Sequence, residues 1–223
     1  MSHPRKIPPT LLLDEAEAEV FFTRSGLKAD PDAHDLLFLT DGWLAMIEVV
    51  RTKERSAREA QADADAARTI ANTRLDRACQ RFGDELFLAV GKERGAARWS
   101  QFFSVPVSKF IRQALPKQVA RVIGWLDSKD PILDKHRAGL EPWAKAADAA
   151  LKRTTAVATV RGEARIGREE LAEGLTRERD GLHEALSARA RERGLPRDWA
   201  GQFFRKVSRA GAASEEGDET AAG

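Results

Sequence analysis

Between Trp43 and Phe82 the chain carries neither Gly nor Pro, and every seventh residue from position 36 is apolar: Leu36, Trp43, Val50, Ala57, Ala64, Ala71 and Ala78. An apolar period of seven describes one stripe on a long helix lying against a partner helix. A strand cannot satisfy it, because side chains along a strand change face with a period of two. Alanine in the middle of such a seam permits close approach but buries little area, so larger residues elsewhere must supply the core.

The stripe returns one hundred residues later as Trp143, Ala150, Val157, Ala164 and Leu171, and its landmarks return with it. Asp30-Pro31 is matched by Asp130-Pro131. Glu93-Arg94-Gly95, Trp99 and Gln101-Phe102-Phe103 recur in the same order as Glu192-Arg193-Gly194, Trp199 and Gln202-Phe203-Phe204. Four of the five Trp residues fall at paired positions, and Trp is too scarce for compositional bias to place them so. The chain therefore reads as an internal duplication of about one hundred residues.

Each Asp-Pro fits a helix start, with Asp accepting from free N–H groups and Pro, which has none, at the first helical position. The expected fold class is all-α: two Ala-rich helices of about 60 residues, on the order of 90 Å each, running to Gly95 and Gly194 and paired as an antiparallel hairpin. Shorter helices are expected over 10–25, 97–104, 107–115, 117–128 and 197–208, forming lobes at the hairpin ends. One lobe gathers Trp99, Phe102, Phe103 and Trp143, the other Trp43, Trp199, Phe203 and Phe204, giving a dumbbell with an approximate two-fold axis near residues 64 and 164. Gly167, Gly174 and Gly181, one heptad apart, suggest close helix approach, since glycine costs about 1 kcal/mol inside a helix. The competing architecture breaks the long segments at 51–58 and 161–167 and folds them into a compact four-helix bundle. The domain reading is an N-terminal tail over 1–9, a first repeat over 10–115, a second over 116–209 packed with it as one domain, and a disordered acidic tail over 210–223 carrying Glu215, Glu216, Asp218 and Glu219.

Chemistry is harder to find. His3, His34, His136 and His183 form no metal-ligand spacing, no Gly-rich phosphate loop is present, and Cys79, the lone cysteine, sits on an apolar helix side beside Leu75 and Phe82. No catalytic residue, metal, cofactor or small-molecule ligand is indicated. Without an apolar run of spanning length or a signal-like start, and with one cysteine, the expected location is the cytoplasm. The net charge of +2 makes no case for a polyanion partner, but locally the 94–126 segment holds six bases, Arg94, Arg98, Lys109, Arg112, Lys117 and Arg121, and no acid. Such a basic amphipathic stretch suits nucleic acid or an anionic membrane surface. The favoured expectation is a non-enzymatic assembly or interaction protein whose partner is another protein, itself included. If its lobes mediate that contact, polar replacements of Trp99 and Trp199 should yield monomers.

Overall fold

The computed structural model describes residue 4 and residues 6–205. Among the described residues the fold is all-helical, with six α-helices, two 3-10 helices and no strand. In chain order these are α1 (Leu13–Ala29), a first 3-10 helix (His34–Thr40), α2 (Asp41–Ala89), α3 (Ala97–Phe102), α4 (Val107–Phe110), α5 (Leu115–Leu126), α6 (Pro131–Glu192) and a second 3-10 helix (Trp199–Phe203). The acidic tail, His3 and part of the 1–9 segment lie outside the described residues.

Helices α2 and α6 run 49 and 62 residues through 51–58 and 161–167 without interruption, so the breaks required by the four-helix alternative do not occur. The stripe is buried along α2 at Trp43, Val50, Ala57, Ala64 and Ala71, and along α6 at Ala150, Val157, Ala164 and Leu171. Ala78 and Trp143, at corresponding edges of the pattern, are half-buried.

The helix ends show which local signals act. Asp130 Oδ1 accepts from Ile132 N at 3.0 Å as α6 opens, and Asp30 Oδ1 accepts from Asp32 N at 2.8 Å in the same way. After Asp30, however, the long helix does not begin until Asp41. The intervening run Leu36-Leu37-Phe38-Leu39 tightens into 3-10 geometry, where Thr40 Oγ1 donates back to the Leu37 carbonyl at 2.7 Å and receives Arg24 at 2.9 Å. Side-chain bonding of this kind competes with the α-helical ladder. At the other end α2 stops before Gly91 rather than Gly95. Gly91 takes φ +69° and Lys92 N reaches the Phe87 carbonyl at 2.8 Å; Gly194, with φ +67°, lets Leu195 N reach the Ala190 carbonyl at 2.9 Å. Both are six-to-one closures that satisfy a terminal carbonyl through a left-handed glycine.

The chain divides into two compact units, Met1–Lys53 with Ala164–Gly223, and Glu54–Glu163. In the first unit α1 places Ala16, Val20 and Leu27 against the start of α2 (Trp43, Ile47, Val50) and the end of α6 (Leu175, Leu182, Leu186), with Trp199, Phe203 and Phe204 closing the core. Ile7 joins this core, its N–H bonding Thr176 Oγ1 at 3.0 Å. Trp199 Nε1 donates to Asp30 Oδ2 at 2.8 Å, tying the second 3-10 helix to the turn after α1. Met46 lies over Gly174, where a Cβ would come within 2.7 Å of the Met46 terminal methyl, and Lys53 lies over Gly167. Gly181 has nothing within 4 Å of a Cβ, so close approach explains Gly174 and not Gly181.

In the second unit Phe82 is the hub. Its ring lies 5.1 Å from Phe102, 5.8 Å from Phe103, 5.6 Å from Trp125 and 5.3 Å from His136, all centroid to centroid. Leu75 and Cys79 from α2, Phe110 from α4, Val119 and Val122 from α5, and Leu133 and Leu140 from α6 complete the core. Gly83 is required here: a Cβ would overlap Val107 and touch Phe103.

Candidate functional site

The basic segment expected to bind an anion is largely engaged in building the second unit. Its apolar residues Phe102, Phe103, Phe110, Leu115, Val119, Val122 and Trp125 are buried, leaving Ile123 as its exposed large apolar side chain. Arg94 stacks on Phe87 at 5.2 Å, Arg98 pairs with Asp130, and Arg121 bonds the Gln101 and Phe102 carbonyls at 3.4 Å each. Lys109, Arg112 and Lys117 are exposed and have no ion pair among the described residues. The apolar face that a membrane would have to receive is therefore occupied, and three of the six charges face solvent unpaired.

The aromatic residues expected at the lobes are core residues. Trp99 and Trp199 are 4% and 6% exposed and Phe102, Phe103, Phe203 and Phe204 are buried, as is Trp43, while Trp143 alone is half-buried. An indole so covered cannot be the surface that touches a second protein, and polar replacement would open a core instead of splitting a dimer. The exposed large aromatics are Phe21 and Phe22 on α1 and Phe38 on the first 3-10 helix, at 51%, 44% and 64%, with Leu12 at 61% just before α1. Their signal was readable in part: two adjacent Phe on a helix diverge by about 100°, so a single narrow core stripe cannot cover both.

A second unforeseen feature lies in the second unit. Arg74, Arg77 and Arg81, spaced i, i+3, i+7 on α2, face Lys135, His136 and Trp143 on α6 across a groove of about 160 Å³ with Gly139 on its wall. The Arg74 guanidinium sits 5.6 Å from the Trp143 ring centroid. Beside the groove Glu85 is paired with Lys135 and lies 3.4 Å from His136 Nε2, and the hydrogen bond from Lys135 above all holds its carboxyl below the usual range. Arg77 and Arg81 are exposed and have no ion pair among the described residues.

The remaining reactive groups are packing residues. Burial, with the Asp76 carboxylate nearby, pushes the Cys79 thiol up to about 12, which removes the thiolate a nucleophile needs. The His136 ring packs on Phe82 and the His183 ring on Phe204, whereas His34 is exposed at the start of the first 3-10 helix. Among the described residues no group of three His, Cys, Asp or Glu is placed to hold a metal, and no helix is long and apolar enough to cross a membrane. Asp76 Oδ1 and Gln118 Oε1 are both buried acceptors without a donor, since Gln118 Nε2 is held by the Phe110 and Gln113 carbonyls at 3.2 Å each. Arg179 is a buried cation on α6, paired with Glu19 at 3.0 Å and lying 5.4 Å from the Phe204 ring. No protein-family model, curated protein or solved structure matches this chain.

Proposed function

We propose that the protein is a non-enzymatic helical assembly protein that associates with copies of itself, and that it does so through the outer side of α1 and the adjoining 3-10 helix. The observation that carries this reading is the exposure of Phe21 and Phe22 on α1 and of Phe38 on the 3-10 helix, two elements that pack against one another, with Leu12 exposed just before α1. Isolated exposed apolar residues are ordinary, but three exposed Phe on two elements that touch have the composition of a contact surface. A reducing cytoplasm suits the lone buried Cys79.

Size-exclusion chromatography with light scattering tests this. The wild-type chain should exceed its monomer mass of 24.6 kDa, and the triple variant Phe21→Ser, Phe22→Ser, Phe38→Ser should run at it. A wild type that stays monomeric at its highest soluble concentration, or a triple variant of unchanged mass, rejects the reading.

The architecture proposed with this function is the antiparallel hairpin from a duplicated unit. Its support is a common register. Met46 meets Gly174 and, seven residues on, Lys53 meets Gly167, seven residues back; a further 32 residues on, Glu85 meets Lys135, which is 32 residues before Gly167. Extended between those pairs, this register would bring residues 60 and 160 to the same height along the two helices, one helical turn from the axis expected at 64 and 164. A duplication offset of one hundred pairs the same two positions. Distance labels at 60 and 160 should read near the usual 8–10 Å interaxial spacing plus their own length, and a separation beyond about 20 Å rejects the hairpin.

A further inference from the structure

We propose that the groove between Arg74, Arg77, Arg81 and Trp143 in the second unit binds single-stranded nucleic acid. The reading is independent of self-association and uses residues outside the 94–126 segment.

Three physical features point to a phosphate-bearing strand. The first is uncompensated charge. Arg74, Arg77 and Arg81 stand at i, i+3, i+7 on one face of α2, and such like-charge neighbours raise the energy of an isolated helix. Glu85 is engaged with Lys135 and His136 on the other wall. Two other acids lie close by: Asp76, half-buried and accepting from Asn72, and Asp84, exposed and without an ion pair among the described residues. Neither is paired with Arg77 or Arg81, and the row of three guanidiniums keeps a net positive charge that attracts an anion.

The second is shape. Gly139 lies inside α6, where glycine costs about 1 kcal/mol relative to alanine, yet a Cβ there would meet nothing within 4 Å. No packing contact asks for glycine at this point. What its missing side chain provides is the open wall of the groove. The groove, about 160 Å³ and open to solvent, has room for a phosphate group and is too small for a folded macromolecular element.

The third is the pairing of a charged row with an indole. Arg74 to Arg81 covers about 10 Å of helix axis, a row long enough to meet successive phosphates of one strand. Trp143 stands at the end of the row, half-buried, its ring under the Arg74 guanidinium, and a base would stack on it by displacing that guanidinium toward a phosphate. Guanidiniums tracking a backbone beside an aromatic platform are the two elements by which proteins hold single strands without reading sequence. A duplex would satisfy the arginines but would keep its bases stacked away from Trp143.

Fluorescence anisotropy of a labelled 20-mer oligothymidylate, titrated with the full chain across a salt series, tests the assignment. Binding should weaken steeply with salt, and Arg77→Ala with Arg81→Ala should flatten the log–log slope by about 1.4, the value for two lost phosphate contacts on a single strand. Trp143→Leu should weaken binding by about 5-fold or more through the lost stack. Gly139→Leu is the decisive variant: it fills the groove with a good helix former, so thermal stability should hold or rise while affinity falls at least tenfold. If Gly139→Leu binds as the wild type does, the groove is not the site. If the duplex of the same length or an inorganic polyphosphate of matched charge competes as well as the 20-mer, and Trp143→Leu changes nothing, the groove takes any polyanion and the nucleic-acid assignment is wrong. Absence of 20-mer binding at low salt overturns the proposal outright.

Discussion

Two glycines inside the long helices should respond in opposite directions to the same substitution. Gly181 sits in α6 with nothing within 4 Å of where a Cβ would project, so Gly181→Ala should gain the helix-propensity difference of about 1 kcal/mol and lose nothing. Gly83 sits in α2 under Val107 and Phe103, and there the new methyl overlaps a Val107 branch. Val107 opens α4 and, being β-branched, has few rotamers into which to retreat, so α4 must shift. Overpacking of that kind costs about 1–3 kcal/mol, which cancels or exceeds the propensity gain. The two variants should therefore differ by about 1–3 kcal/mol, or about 2–12 °C in melting temperature for a chain of this size. Gly174→Ala should fall between them, because its close neighbour is the free methyl end of Met46, which can swing aside. Urea and thermal unfolding followed by circular dichroism supply the measurement. If Gly83→Ala is as stabilising as Gly181→Ala, Val107 does not pack on α2 and the account of the second unit's core is wrong.

Asp76→Asn should stabilise the fold by about 1 kcal/mol at neutral pH by giving Gln118 Oε1 a donor. Burial raises the Asp76 carboxyl above its usual value, so the folded state holds the proton longer and wild-type stability should fall as pH rises through that window; parallel pH curves for the two proteins in urea unfolding would refute this. Glu19→Ala should cost about 3 kcal/mol because it strands the buried Arg179 cation, whereas Arg179→Met should cost far less; equal losses by chemical denaturation would show that the pair is not buried as described. Cys79 should resist a thiol reagent at pH 8 until the second unit opens, and labelling at the rate of a free thiol would contradict its burial.

The parts of the fold legible in the sequence were those governed by periodic burial and by chain chemistry at helix ends. The heptad stripe identified Val50, Ala57, Ala64 and Ala71 as buried, and the Asp130 carboxylate at the start and the left-handed Gly194 at the end bounded α6 to within two residues. The same reasoning started α2 too early and ended it too late. Thr40 and Arg24 form a local network across two elements, and Gly91 competes with Gly95 as a terminator; both outcomes depend on packing that spacing does not encode. The aromatic landmarks were visible, but scarcity marks a residue as important without saying whether core or surface needs it. The groove escaped because its walls come from α2 and α6, more than fifty residues apart, although the spacing of Arg74, Arg77 and Arg81 already placed them on one face.

The first unit is assembled from both ends of the chain, while the second is a single uninterrupted stretch. On the ribosome this difference becomes one of timing. All of the second unit's core partners exist once residue 163 has been made. By contrast the segment around α1, synthesised before the second unit, needs Arg179 for Glu19, Thr176 for Ile7 and Trp199 for Asp30, contacts that span 160 to 169 residues. At about 5–20 residues per second those partners arrive roughly ten to thirty seconds later. Throughout that interval Val20, Leu27, Trp43 and Ile47 have no completed core to enter, so the nascent N-terminal segment is the part of the molecule for which a chaperone, or a neighbouring nascent copy, has the longest opportunity to bind.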